Sequence, residues 1–182
     1  MSQGLITVPR MTGKIDGAVF IATSLDGFIA GEDGDLSWLQ PEGVDVGDAG
    51  YTPFWAGVDA MLLGRATYDV AAGDDRWLYA RKRVVLLSTT VEEGSDPRVE
   101  VVRSFDEAAQ RLAGVRTYVD GGHVIRAALR AGHVCEMIIT TVPVVLGRGV
   151  PLFGDLPRVG LEHVVTQVLP HGYVQTTWRV AG

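Results

Sequence analysis

The hydrophobic pattern of the chain is a series of short, continuous apolar runs alternating with stretches of helical periodicity. Gly17 to Thr23 is unbroken enough to predict a buried strand. Ser24 to Gly34 follows as a glycine-rich loop with an apolar patch, Phe28-Ile29-Ala30, at its middle. Thr52-Pro53 predicts a short helix, with Thr52 as its cap and Phe54, Trp55 and Val58 on its apolar side. Strand 60–63, a helix over 66–72 ending at Gly73, strand 84–88 and strand 99–102 come next. Ser104 and Glu107 have capping-box spacing ahead of Ala108, Ala109 and Leu112. A strand over 117–119 leads into a helix over 122–131 stopped by Gly132, and 138–146 is a long β-rich run. Strands 161–168 and 173–180 close the chain as a hairpin through Pro170-His171-Gly172. Strands alternating with helices predict an α/β fold with a mostly parallel sheet and an antiparallel C-terminal edge.

Composition narrows the picture. A length of 182 residues suits one domain, expected over 15–182, with residues 1–14 as a mobile or interface-forming arm. An apolar fraction of 47% with 21% charged residues is that of an ordinary globular protein. A net charge of −6 without any basic run argues against a nucleic-acid surface. Cys135 stands alone, which excludes an intrachain disulfide and argues against cysteine-held zinc; the histidines at 123, 133, 163 and 171 lack metal-ligand spacing. No run approaches the roughly 20 apolar residues of a membrane span, and no signal-peptide pattern opens the chain, so the expectation is a cytoplasmic protein without a membrane partner.

The candidate chemistry lies in the turns that follow strands. Gly64-Arg65-Ala-Thr67 ends one apolar strand and opens a helix, a combination that offers backbone N–H groups, a planar cation and a helix dipole to a phosphate. The same turn also fits a plain strand-to-helix connection with a solvated arginine. Asp120-Gly121-Gly122-His123 repeats the arrangement, its paired glycines admitting a close approach to a pyrophosphate, though without the full dinucleotide fingerprint. Ser88, ending another strand, suits either a nucleotide contact or a local turn. Loop 24–38 sits where ligands of open α/β sheets collect and suits a lid over a flat ring. No hydrolytic triad or nucleophile elbow accompanies these turns.

Taken in order, Ser24-Leu-Asp-Gly-Phe-Ile-Ala30, Gly34-Asp-Leu-Ser-Trp38, Leu63-Gly-Arg-Ala-Thr-Tyr68, Leu87-Ser88, Asp120-Gly-Gly122 and Pro143-Val-Val-Leu-Gly-Arg-Gly149 resemble the dihydrofolate reductase superfamily. Within it the likeness is to the reductase domain of bifunctional riboflavin-biosynthesis deaminase-reductases, over about residues 17–180. The resemblance implies a three-layer dihydrofolate reductase-like fold, NADPH as cofactor and hydride transfer to a pterin- or aminopyrimidine-type heterocycle. It implies that Gly64, Arg65 and Thr67 hold the adenosine-side phosphates, with Arg65 favouring NADPH, and that Ser88 lies near the adenine ribose phosphate. Gly121, Gly122 and His123 would line the pyrophosphate, with the Gly-Gly bond cis as in well-known relatives. Ala22, Ile29, Gly34 and Leu36 would surround the nicotinamide, and Asp26, Trp38, Thr141 and Leu146 would edge the substrate pocket.

Two departures bear on the substrate. Dihydrofolate reductases carry an acidic residue shortly after the loop tryptophan, whereas position 43 is glycine, with Glu42 and Asp45 only nearby. The riboflavin enzymes pair this domain with a zinc deaminase, and a single cysteine excludes its Cys-x-x-Cys signature, so a stand-alone member is expected. Asp26 is the candidate for a proton-relaying role, unless its carboxylate simply fixes the Asp-Gly turn. The leading expectation is an NADPH-dependent reductase of a small molecule, working as a homodimer. The alternatives are a non-catalytic NADPH- or flavin-nucleotide-binding protein and a structural homo-oligomer.

Overall fold

The computed structural model describes residues 13–73, 77, 79 and 81–181; the arm expected over 1–14 lies outside the described residues up to position 12. The first apolar run becomes β1 (Asp16–Thr23), and the loop patch that follows becomes a short strand, β2 (Phe28–Ala30). After α1 (Tyr51–Gly57), β3 (Ala60–Gly64) runs straight into α2 (Arg65–Ala72), and β4 (Arg83–Leu87) and β5 (Glu100–Val102) follow. Then come α3 (Phe105–Arg111), β6 (Arg116–Asp120), α4 (Gly122–Arg130) and β7 (Val134–Thr141). The chain closes with β8 (Val150–Pro151), β9 (Leu161–Val168) and β10 (Val174–Val180).

Eight strands form one sheet in the order β5-β4-β3-β6-β1-β7-β10-β9. From β5 to β7 all neighbours are parallel, while β10 runs antiparallel to both β7 and β9. The parallel strands are covered on both faces, which is why they read as continuous apolar runs rather than alternating ones. Ile15, Val19, Leu62, Val85 and Val119 face Ala108, Leu112, Ile125 and Ala128 of the α3–α4 layer. Met61, Leu63, Leu86 and Tyr118 face Phe54, Trp55 and Ala71 of the α1–α2 layer. The result is the three-layer α/β architecture.

Three local expectations need correction. The cap of α1 is not Thr52. Gly50 stands at the cap with φ +83°, and the Asp48 carboxylate accepts from the Thr52 backbone N at 3.0 Å and its hydroxyl at 2.7 Å. The apolar run 138–146 is not one strand: β7 starts earlier and stops at Thr141. Pro143 has no N–H for a ladder, and Val142, Val144 and Leu146 turn instead into a small cluster around Trp38 and Tyr173. The Gly121–Gly122 bond is trans, as is every described peptide bond, because Gly121 at φ +90°, ψ 130° already redirects the chain into α4. Ser104 caps α3 as expected, accepting from the Glu107 N–H at 3.2 Å; the Glu107 carboxylate closes back on the Arg103 N–H at 2.8 Å.

At the amino edge, β1, β6 and β7 are tied by a compact polar network. The Arg116 guanidinium donates to Asp16 Oδ1 at 3.0 Å and to Glu136. The Cys135 Sγ lies 2.9 Å from Asp16 Oδ1 and 3.1 Å from the Gly17 carbonyl. Burial, with the adjacent Asp16 carboxylate, pushes the Cys135 thiol up to about 12. Asp16 and Cys135 are both buried, so the network fixes strand order from inside the sheet rather than at its surface.

Candidate active site

The parallel strands deliver Thr23, Gly64, Leu87, Val102, Asp120 and Thr141 to one edge, where ligands of open α/β sheets bind. Because β3 pairs with β6 and Leu63 faces Asp120 in the register, the two glycine turns lie side by side. A side chain built on Gly121 would meet Thr67 Oγ1 at 2.9 Å and the Gly64 nitrogen at 3.7 Å. Gly64, Thr67 and Gly121 therefore form one continuous surface at the starts of α2 and α4. The two glycines of the second turn are needed for different reasons. Gly121 holds a positive φ, whereas Gly122 has no such requirement and is confined by space, with Ile29 Cδ1 at 2.9 Å and Arg126 Nη1 at 3.0 Å from a built Cβ.

Arg65 extends along this edge. Its Nε pairs with Asp69 at 2.6 Å and its Nη1 donates to Thr90 Oγ1 at 3.0 Å, with the side chain half exposed. Thr90 belongs to a turn organised by Ser88, whose hydroxyl accepts from the N–H groups of Thr90 and Val91 at 3.2 and 3.1 Å. Arg103 approaches the same turn from the end of β5, donating to the carbonyls of Ser88 and Val91 at 2.9 and 2.7 Å. Arg103 has no glycine signature beside it and is missed by motif reading. Its position at the end of a strand, directly before a helix cap, is the signal that identifies it.

The segment expected to act as a lid is a ribbon of two loops rather than one. β2 pairs antiparallel with β8, so the segment after β1 and the segment after β7 cross the carboxyl edge together. The Leu25 N–H donates to the Val144 carbonyl at 2.8 Å and the Leu152 N–H to the Gly27 carbonyl at 2.9 Å. Asp26 is the clasp between the loops. Its carboxylate accepts from the Ser24 hydroxyl at 2.6 Å and from the N–H groups of Leu146 and Gly147 at 3.1 and 2.7 Å. These bonds, the Ser24 one foremost, hold Asp26 below the usual carboxylate range, so it stays ionised. Ile29 reaches Gly122. Trp38 is buried with Val142 and Tyr173, its Nε1 donating to the Asp35 carbonyl at 3.1 Å, and Ala22 and Leu146 pack on that cluster. Gly34 and Leu36 are exposed on the outer part of the loop, Leu36 at 40%. Thr141 ends β7, partly buried, on the face opposite Thr140. His123 is exposed on the first turn of α4, its Nδ1 at 3.3 Å from Arg126 Nη2.

Asp120 is the other residue that motif reading passes over. It ends β6 immediately before the glycine pair, and by strand alternation it shares a face with Tyr118, on the α1 side. That side is an aromatic wall: Phe20 lies 5.5 Å from Tyr51 and 5.0 Å from Phe54, and Phe54 meets Tyr118 edge-on at 5.1 Å. The residue as a whole is partly buried, but its carboxyl group is the enclosed part, and burial raises it to about 6 against the opposing hydrogen bond from Gly121. Tyr51, Tyr79 and Tyr118 are raised in turn, by burial first and by the Asp120 charge second. A carboxyl group that titrates at about 6, beside aromatic rings at the edge of the Gly121–Gly122 turn, can hold or release a proton for a planar ligand.

An apolar cavity of about 210 Å³ lies between Leu129, Met137, Phe153 and Leu161, towards the amino edge. It offers no group suited to catalysis and is separate from this site. Among the described residues no cluster of His, Cys, Asp and Glu could hold a metal ion, and no helix is long and apolar enough to cross a membrane.

No family model matches the chain. The uncharacterized protein YwjB of Bacillus subtilis is 35% identical over 144 residues, which cover 76% of this chain and 82% of that one. A solved structure from Shewanella sp. PV-4, named as a candidate riboflavin biosynthesis protein, is 35% identical with a TM-score of 0.79, covering 92% of this chain and all of the other. The fold recurs at 17% identity and a TM-score of 0.67 in the diaminohydroxyphosphoribosylaminopyrimidine deaminase/5-amino-6-(5-phosphoribosylamino)uracil reductase of Thermotoga maritima, over 92% of this chain and 57% of that one. The chain thus belongs to the dihydrofolate reductase superfamily, in the branch of the riboflavin-biosynthesis reductase domains.

Proposed function

We propose that the protein is an NADPH-dependent reductase that transfers hydride to a small planar heterocycle of the pterin or aminopyrimidine type, in the cytoplasm. The observation that carries this reading is the abutment of the two glycine turns, with Gly121 against Thr67 and Gly64. It joins the two turns into one surface, with Arg65 and Arg103 beside the Ser88–Val91 turn. The residues present fit NADPH. Gly64, Thr67, Gly121 and Gly122 would take its phosphates, and Arg65, Ser88 and Arg103 its 2′-phosphate end. NADPH when bound supplies the hydride.

The chain's own part is positioning and proton supply. Ile29 and the ribbon cover the site, and Asp26, ionised and fully engaged, keeps the two loops together rather than delivering a proton. Asp120 holds the proton that the reduced C=N or C=O group takes up at its heteroatom. The aromatic wall of Phe20, Tyr51 and Phe54 receives the ring.

Fluorescence titration with NADPH, followed by NADPH oxidation with pterins and with aminopyrimidine ribose phosphates, tests the proposal. Binding with oxidation supports it, whereas tight binding without oxidation of any of these acceptors supports a non-catalytic nucleotide-binding protein. Arg65→Ala is expected to weaken NADPH by about tenfold or more, the worth of a hydrogen bond to a charged group, and to leave NADH nearly unchanged. Arg103→Ala is expected to act in the same direction, and Kd values for both nucleotides check the pair.

We further infer a homodimer built on β9, which is the outer edge of the sheet and exposes Leu161, Val165 and Val168. Val165→Glu is expected to convert a dimer to a monomer in sedimentation velocity; an unsubstituted protein that sediments as a monomer overturns this.

A further inference from the structure

Arg126 is a cation in a place that elementary electrostatics disfavours. It is only 8% exposed, on the second turn of α4. Side chains of a helix lean towards its N-terminus, so the guanidinium folds back over Gly122, four residues earlier, where the missing side chain leaves it room. There it donates to the carbonyls of Pro151 at 2.7 Å and Leu152 at 3.2 Å, and its Nη2 stands 3.3 Å from His123 Nδ1. Among the described residues it makes no ion pair. The carboxylate that feels its charge, Asp155, is 87% exposed and bonded to Arg130 at 2.6 Å.

A buried charge without an opposite charge is costly, and the N-terminal end of α4 already carries partial positive charge from its free N–H groups. Two positive features therefore converge on the Gly121–Gly122 turn, and among the described residues no carboxylate pairs with Arg126; Asp120, the carboxyl group next to that turn, faces the α1 side of the sheet. Neutral carbonyls take the Nη1 donors of Arg126 but do not balance its charge.

We infer that Arg126 is the buried counter-charge for the diphosphate of the dinucleotide, and that its bonds to Pro151 and Leu152 couple diphosphate binding to closure of the β2–β8 ribbon. This rests on the reading of the edge as a dinucleotide site. The same guanidinium serves both ends: an anion on the glycine turn holds Arg126 in place, and Arg126 holds the carbonyl side of β8 and, through the Leu152 N–H on Gly27, the loop after β1.

The test compares NADPH, ADP-ribose and 2′-AMP as ligands of the unsubstituted protein, Arg126→Gln and Arg126→Lys. Arg126→Gln is expected to weaken NADPH and ADP-ribose by about ten- to a hundredfold, the worth of charge-assisted hydrogen bonds, and to leave 2′-AMP, which has no diphosphate, unchanged. Arg126→Lys keeps the charge and is expected to retain most of the affinity. Nη1 alone bonds both carbonyls while Nη2 stands on the side of His123, so the single ammonium of a lysine cannot serve the carbonyls and the diphosphate together. NADPH is therefore expected to slow hydrogen exchange of the Leu152 amide in the unsubstituted protein and to do so much less in Arg126→Lys. Equal NADPH affinity in Arg126→Gln and the unsubstituted protein overturns the inference and leaves the cofactor reading intact. Equal loss of all three ligands means a merely structural role and overturns it too. If Arg126→Gln does not fold, the lysine variant decides: exchange protection equal to the unsubstituted protein overturns the coupling. No NADPH binding by the unsubstituted protein overturns the dinucleotide reading itself.

Discussion

Asparagine in place of Asp120 is expected to slow turnover by about two to four powers of ten, the usual worth of a positioned acid or base, while NADPH still binds. The two effects separate because Asp120 faces the aromatic wall, whereas the turn proposed to take the phosphates is made by Gly121, Gly122 and α4. In the unsubstituted protein the group must be protonated to act as an acid. Its enclosed carboxyl titrates at about 6, so kcat is expected to fall as pH rises through that value. In Asp120→Asn that limb should vanish from the residual rate.

The substitution should affect stability in the opposite sense. A carboxyl group raised on folding favours the folded state at low pH, and that contribution is lost as pH rises from the unfolded value, near 3.8, through about 6. Above pH 7 the charge is held in an unfavourable place, at a cost on the order of 3 kcal/mol, the free-energy equivalent of the rise from 3.8 to about 6. Asp120→Asn should therefore melt higher than the unsubstituted protein at pH 8, and the difference should shrink towards pH 4. A variant both slower and more stable is the signature of a strained catalytic carboxylate. One that is slower and less stable would mean that Asp120 serves the fold.

Gly17→Ala is expected to destabilise the protein by about 3 kcal/mol or more, at the upper end of overpacking effects. Gly17 lies in β1, the strand between β6 and β7, with no unusual backbone angle. A Cβ built on it would stand 2.2 Å from the His133 carbonyl oxygen, 3.2 Å from the carbonyl carbon and 3.3 Å from Val119 Cγ2. The obstruction is the backbone carbonyl immediately before β7, which also accepts the Gly17 N–H at 3.1 Å, and the β1–β7 register shifts at this point. Neither partner can step aside without unpairing the sheet. For a domain of this size the loss corresponds to roughly 6–12 °C in Tm, measurable by calorimetry. An unchanged Tm would mean that the bulge absorbs the methyl group.

What was legible in the sequence was what burial writes locally. The parallel strands are covered on both sides, so each appears as a continuous apolar run, and Ser104 with Glu107 marked the start of α3 through a bond three residues long. The two glycine turns were readable as strand-to-helix junctions for the same reason, since strand, glycine and helix are adjacent in the chain. The missing parts depend on distant residues. Phe28–Ala30 looks like loop until Val150–Pro151 arrives to pair with it, and Asp26 cannot be read as a clasp without Leu146 and Gly147 opposite. Asp120 has the same explanation. Its chemistry comes from an aromatic wall drawn from β1, α1 and β6, and nothing in its own neighbours reports that wall. The run 138–146 misled because residues that leave a sheet to roof the site are as apolar as those that stay in it.

The network at the amino edge has one further use. Cys135 is the only thiol in the chain, and while the sheet is intact it is buried beside Asp16 and Gly17, almost entirely in the unreactive protonated form. An alkylating reagent can therefore reach it only in molecules whose central strands have parted. The labelling rate under native conditions counts those openings directly, without denaturant, probe or added tag. In Gly17→Ala, where the substituted strand carries the carbonyl facing that sulfur, the same thiol clocks the damage at its source.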